Sequence, residues 1–188
     1  MNHGKINEVR TDETVELPAL IESNGYVYKD EYKKIEKITA TFKDFSKEYY
    51  VSDFGQKAAV LVIKNDQILF TRQYRLLINS VSLEIPGGKL DEKETPEEAA
   101  IRECFEETGV MCGELKGLLT YDPDLEYTRN RTHVFTATYS GSSTQEEERT
   151  LSWVYSKEAV SMIYDGKISD SLSIISILAY VTKYKRAD

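Results

Sequence analysis

Cysteine and histidine are scarce: each occurs twice in 188 residues, as Cys104, Cys112, His3 and His133. No pairing of the four has metal-ligand spacing, so both cysteines read as reduced thiols, with Cys104 buried on a helix. The histidines lie too far apart in sequence to suggest a Ser/His/Asp arrangement, and a lone histidine is more often structural. Long apolar runs are missing too. None approaches the roughly 20 residues of a membrane span. The opening MNHGKINEVRTDETVE is too polar for a secretory signal, which makes the cytosol the expected location. Basic charge is also short, with 24 Lys and Arg against 32 Asp and Glu and a net charge of −8. That balance argues against a broad nucleic-acid or anionic-membrane surface. An acidic protein that handles an acidic substrate has to recruit a cation.

What is present suits one main domain with an appendage. Hydrophobic residues make up 40% of the chain, enough for a sizeable core. Residues 1–20 are polar and aperiodic and read as a flexible tail, 21–55 as a small N-terminal antiparallel sheet, and 56–188 as the principal domain. Within the second segment, KKIEKITATF and KEYYVSDF form an antiparallel pair of β-branched and aromatic strands. AAVLVI and QILFTRQYR flank Asn65-Asp66, a hairpin signal. Further strands are expected at SLEIP, GLLTY, THVFTATY and TLSWVY. KEAVSMIYDG and SDSLSIISILAYVTKY have helical spacing, closed by Gly166 and capped by Ser169 or Asp170 respectively. The fold class is therefore α/β, in α+β layers: a mixed sheet between helices.

The segment GGKLDEKETPEEAAIRECFEETGV carries the chemistry. Thr95 as N-cap, Pro96 in the first turn and Glu98 three residues on from Thr95 form a capping box. At about 100° per residue, Ala100, Ile101, Cys104, Phe105 and Thr108 share one broad face, which is expected to pack. Glu103, Glu106 and Glu107 share another. Glu98, Arg102 and Glu106 have the spacing of ordinary i,i+4 ion pairs, but Glu103 and Glu107 are like charges at that spacing, a placement that costs a few tenths of a kcal/mol in an isolated helix. A hard divalent ion such as Mg²⁺, which takes oxygen ligands and completes its shell with substrate phosphates, removes the conflict. The glycine pair ahead of the helix would bring backbone close to the same ion.

Gly88, Glu94 and the run Arg102-Glu103-Cys104-Phe105-Glu106-Glu107-Thr108-Gly109-Val110 have the spacing G-x5-E-x7-R-E-U-x-E-E-x-G-U. This resembles the Nudix box. Seven fixed identities make a chance match on the order of one in ten million per start point, so the likeness is informative. Cys104 stands where the family usually has an aliphatic side chain, a change of packing that leaves the acids untouched. RQYR followed by LEIPGGK, the N-terminal strands and the closing DGKISDSLSIISI are similar to the branch that cleaves ADP-ribose and other nucleotide sugars. Two local departures are Pro86-Gly87-Gly88, where many of that branch have P-A-G, and the position of Pro123.

The resemblance implies a Nudix fold and Mg²⁺-dependent hydrolysis of the diphosphate of a nucleoside diphosphate sugar, ADP-ribose first, with Mn²⁺ as a substitute ion. Other nucleotides (GDP-mannose, dinucleoside polyphosphates, nucleoside triphosphates) are the alternatives, and a non-catalytic nucleotide-sugar sensor is the alternative outside enzymology. Metal binding falls on Glu103, Glu106, Glu107 and the Gly87 carbonyl, while Glu94 and Arg102 brace the loop. Catalysis is assigned to Glu106, Glu107 and a late-loop base, Glu147, with Glu146 and Glu148 beside it in sequence. Arg75 suits a bidentate phosphate grip or a structural ion pair. Tyr49 or Tyr50 would stack on a base, Glu126 and Arg129 would contact the sugar, and the N-terminal sheet would join two copies in a homodimer.

Overall fold

In the computed structural model, which describes residues 15–142 and 151–184, the chain divides into two compact units. One runs to Asp53 and includes Glu126–Thr128; the other comprises Phe54–Leu125 and Arg129–Asp188.

The first unit holds β1 (Leu20–Lys29), β2 (Lys34–Thr41) and β3 (Ser46–Asp53), in a sheet of order β1-β2-β3-β9 with β9 spanning Thr128–Arg129. β2 and β3 pair antiparallel from Lys34↔Asp53 to Thr41↔Ser46, as their composition predicts. β1 is an addition to the two strands read from sequence. Its register shifts near Gly25, which has φ +86°, and every residue along it is exposed. No two-residue alternation marks such a strand, because it has no buried face.

The second unit holds β4 (Lys57–Lys64), β5 (Gln67–Arg75), β6 (Ser80–Glu84), β7 (Gly87–Lys89), α1 (Pro96–Thr108), β8 (Val110–Tyr121), β10 (Thr132–Ser142), β11 (Ser152–Tyr155), α2 (Ser156–Tyr164) and α3 (Ser171–Tyr184). Its sheet runs β11-β5-β4-β10-β8, with β4 and β10 parallel and the other neighbours antiparallel. Asn65 and Asp66 turn the β4–β5 hairpin with φ of 50° and 65°, the left-handed pair that a tight two-residue loop requires.

Beyond Ile63↔Ile68 and Lys64↔Gln67 the hairpin strands part. β7 then pairs with the start of β4 (Ala58↔Gly88, Ala59↔Gly87), and β6 pairs with the end of β5 (Thr71↔Glu84 to Arg75↔Ser80). This split seats the Pro86-Gly87-Gly88 turn against the centre of the sheet.

β4 explains its unbroken apolar run. Ala58, Val60 and Val62 pack in one core with Ala99, Ala100 and Cys104 of α1, whereas Ala59 and Leu61 pack in a second core with Ala159 of α2 and Ile177 of α3. A strand buried on both faces has no polar side to alternate with. The result is the expected mixed sheet between helices. Among the described residues no helix is long and apolar enough to cross a membrane.

Candidate active site

Helix α1 begins where its sequence directs. The Thr95 hydroxyl accepts from the Glu98 amide at 3.2 Å and the Glu98 carboxylate accepts from the Thr95 amide at 2.8 Å. Gly109, at φ 66°, ends the helix by donating its amide to the Phe105 carbonyl at 2.8 Å. Ala99, Ala100, Cys104 and Thr108 are buried, but Ile101 and Phe105 are 43% and 46% exposed. The packing face is thus narrower than the helical wheel suggests. Small residues bring α1 close to β4, and that close approach leaves the larger flanking side chains outside.

Arg102 is the hub of the acidic face. It forks onto both oxygens of Glu94 (2.8 and 2.9 Å) and reaches Glu103 (2.8 Å), Glu106 (3.0 Å) and the Lys89 carbonyl (3.0 Å). Glu94 also accepts from the Asp91 amide, and the Arg102 bond followed by this one holds its carboxyl down at about 2. Glu98 is engaged in the cap rather than in the i,i+4 pair suggested by spacing. Glu103 is therefore not unrelieved: the arginine beside it in sequence compensates it.

Glu107 is placed differently. Its carboxylate accepts from the Gly87 amide at 3.1 Å and from Gln73 Nε2 at 3.0 Å. Desolvation by the surrounding protein, then the charges of Glu103 and Glu84, push its pKa upward against the Gly87 bond and Arg75. Gly88 makes the close packing possible, since a Cβ there would stand 2.3–2.5 Å from the Glu103 carboxyl group.

Among the described residues no three His, Cys, Asp or Glu side chains form a group able to hold an ion as they stand. Glu103 and Glu106 turn to Arg102, and Glu107 turns to Gly87 and Gln73. The fit to a hard divalent cation lies in the donor chemistry, three carboxylates with no soft ligand, in the glycine cradle that Glu103 fills, and in the crowded charge on Glu107.

A cavity of about 430 Å³ runs beside the end of α1, lined by Arg72, Phe105, Glu106, Glu107, Leu151 and Ser152 among others. Arg75, read from sequence as a phosphate grip or an ion pair, makes the ion pair: Nε and Nη2 meet the two oxygens of Glu84 at 2.7 and 2.5 Å. Burial works to raise the Glu84 pKa, but Arg75 and Ser82 together bring it below the ordinary value. Arg75 also lines a second cavity, of about 130 Å³, with Lys57, Gly87, Asn130 and Asp170.

Tyr49 and Glu126 belong to the first unit, where Lys47 lies 4.4 Å over the Tyr49 ring and 3.0 Å from Glu126. Arg129 belongs to the second unit, and its carbonyl accepts from the Phe54 amide at 3.0 Å. Glu147, with Glu146 and Glu148, lies outside the described residues. His133 is structural: Nδ1 meets Thr120 at 3.2 Å and Nε2 meets Gln56 at 2.8 Å, and burial lowers its pKa. Sequence reasoning missed Gln73 and Glu84. The signal available for both was the hairpin itself, which once split turns polar side chains of β5 and β6 toward the glycine turn.

A family model described as NUDIX domain matches residues 54–170. Over 140 residues the chain is 28% identical to a methanol dehydrogenase activator of Bacillus methanolicus, covering 70% of this chain and 75% of that protein. It is 33% identical over 106 residues to an ADP-ribose pyrophosphatase of Bacillus subtilis (strain 168), covering 56% of each. A solved structure described as an ADP compounds hydrolase superposes with a TM-score of 0.73 at 18% identity, covering 90% of this chain and 94% of the other. That last likeness concerns the fold.

Proposed function

Because the chain belongs to the NUDIX domain family, we propose that it hydrolyses the diphosphate of a nucleoside diphosphate sugar, ADP-ribose first, giving a nucleoside monophosphate and a sugar phosphate. The observation that carries this reading is the setting of Glu107. It is held by a backbone amide and an amide side chain, and crowded by Glu103 and Glu84. The likeness to the ADP-ribose pyrophosphatase of B. subtilis supports the choice of substrate.

A divalent cation, Mg²⁺ with Mn²⁺ as substitute, held by Glu103, Glu106, Glu107 and the Gly87 carbonyl, would supply Lewis acidity and charge neutralisation at the diphosphate. The chain's own residues do the positioning. Gln73 and the Gly87 amide fix the Glu107 carboxylate. Arg102, anchored on Glu94 and the Lys89 carbonyl, aligns Glu103 and Glu106 from the other side. Arg75, fixed by Glu84, keeps positive charge beside the glycine turn, where a phosphate would meet it. We assign proton abstraction to the acidic segment containing Glu147.

The fully exposed β1 supports association of two copies through the N-terminal sheet, and we place the enzyme in the cytosol. Glu107→Gln tests the central claim. The variant is expected to unfold normally in urea yet lose turnover of ADP-ribose by orders of magnitude, and full activity in a folded variant rules the reading out. Chelation with EDTA is expected to abolish turnover and added Mg²⁺ to restore it. A panel of ADP-ribose, GDP-mannose, diadenosine polyphosphates and nucleoside triphosphates ranks the substrates.

A further inference from the structure

Two serines of α3, Ser173 and Ser176, are fully buried, and their hydroxyls do different things. Ser176 donates to the Leu172 carbonyl of its own helix at 2.6 Å, the ordinary outlet for a buried helical hydroxyl. Ser173 reaches off the helix. Its hydroxyl donates to Asp170 Oδ2 at 2.8 Å and accepts from the Ile85 amide at 3.0 Å, while the same Asp170 oxygen accepts from the Ser173 amide at 2.8 Å. With its hydrogen committed to a carboxylate, the serine oxygen turns its lone pairs to Ile85.

Ile85 and Pro86 are the step by which the chain crosses the split hairpin. The β5–β6 register ends at Thr71↔Glu84 and the β4–β7 register at Ala59↔Gly87, so both residues lie between the two ladders. Other bonds hold the step: Ile85 to Ser173, and the Pro86 carbonyl accepting from the Val60 amide at 3.1 Å. Proline has no amide, so the backbone donors on either side of it belong to Ile85 and Gly87. The first is tied to α3. The second donates to Glu107 of α1 at 3.1 Å, and the two helices pack into different cores, one with each face of β4. Proline fixes its own φ and confines the residue before it to extended backbone. The step is therefore stiff, and a shift at Ile85 passes to Gly87.

We propose that Ser173 is a positioning residue for catalysis: oriented by Asp170, it sets the Gly87 amide, and through it the Glu107 carboxylate, from the opposite face of the sheet. This rests on the hydrolase reading above and adds the element that holds the glycine turn from behind.

The test uses the full chain. Ser173→Ala leaves the Ile85 amide unpaired, and Ser176→Ala, which removes an equally buried hydroxyl from the same helix, is the control. With ADP-ribose in Mg²⁺, kcat of Ser173→Ala is expected to fall about tenfold with KM little changed, short of the roughly hundredfold that a 1 Å misplacement brings. Ser176→Ala is expected to keep wild-type kcat. Unchanged kcat in Ser173→Ala, or an equal loss in Ser176→Ala, overturns the proposal. Amide exchange followed by ¹H–¹⁵N NMR, without divalent ion, supplies a readout independent of turnover. In Ser173→Ala the exchange rate of the Gly87 amide is expected to rise more than those of the β4 amides, which report overall stability. A rise at Gly87 no larger than that of β4 means that the hydroxyl serves stability alone and refutes the transmission. Asp170→Ala, which keeps Ser173 but frees its hydrogen to rotate, is the second variant; the same selective rise at Gly87 is expected, and its absence is equally fatal. Should the wild type fail to cleave ADP-ribose, the hydrolase reading fails, while the exchange of Gly87 still decides whether Ser173 positions the turn.

Discussion

Alanine at Gly88 and alanine at Gly87 are expected to injure the protein in different ways, and the distances say how. Neither glycine has a left-handed φ, so an added methyl acts by steric contact alone. At Gly88 the Cβ would stand 2.3–2.5 Å from three atoms of the Glu103 carboxyl group, where ordinary contact begins at 3.4 Å. Those atoms end a flexible side chain, so the fold absorbs the change at about 1 kcal/mol or less, the scale of the hydrogen bond from Arg102 that is disturbed. The carboxylate itself has to retreat by about 1 Å, a displacement that lowers kcat by about a hundredfold when it shifts a reacting geometry. At Gly87 the Cβ would meet Ala59 Cβ at 2.5 Å, the Ala58 carbonyl at 2.6 Å and Ala59 Cα at 2.8 Å. These belong to the fully buried start of β4 and cannot swing aside. Overpacking of that kind costs about 1–3 kcal/mol. Urea unfolding and steady-state hydrolysis of ADP-ribose in Mg²⁺ separate the two. A Gly88→Ala variant that keeps wild-type kcat, or that loses as much stability as Gly87→Ala, refutes these assignments.

Three further outcomes are expected. Glu94 has its carboxyl held at about 2 against an ordinary 4.5, so its contribution is complete above pH 4.5 and drains away as the pH falls toward 2; Arg102→Met should flatten that part of an acid-unfolding curve. Thr95→Ala removes the capping box of α1 and should cost about 1 kcal/mol by urea unfolding, with kcat much less affected than by Gly88→Ala. Arg75→Met leaves the Glu84 carboxylate without its fork and should destabilise by about 1–2 kcal/mol, a figure reduced for partial exposure to solvent, and thermal unfolding measures it.

Local signals were the most legible. The capping box at Thr95 and the Asn65-Asp66 turn are each decided within a few residues, and each is found where its residue types put it. The box spacing likewise brought Glu94, Arg102, Glu103 and Glu106 into one network. What failed was inference about faces. Ile101 and Phe105 look as apolar as Ala100 and Cys104, yet burial depends on how near the sheet lies, and alanines set that distance. The Arg75–Glu84 pair is read only once β5 and β6 are known to be partners. The cavity of Lys57, Asn130 and Asp170 was beyond reach, because no spacing in the chain links residues that only the tertiary structure makes neighbours.

The parallel pairing of β4 with β10 bears on the order of events at the ribosome. Lys57 finds its partner in Thr132, with α1 and all of β8 lying between them, whereas β5 can fold back on β4 almost as soon as it emerges. Pairing across such a separation is slow and exposes apolar edges meanwhile. The helix bearing Glu103, Glu106 and Glu107 therefore waits on a half-built platform until β10 has been synthesised, and a nascent chain stalled before Thr132 would carry a complete acidic motif without a finished sheet to dock it on.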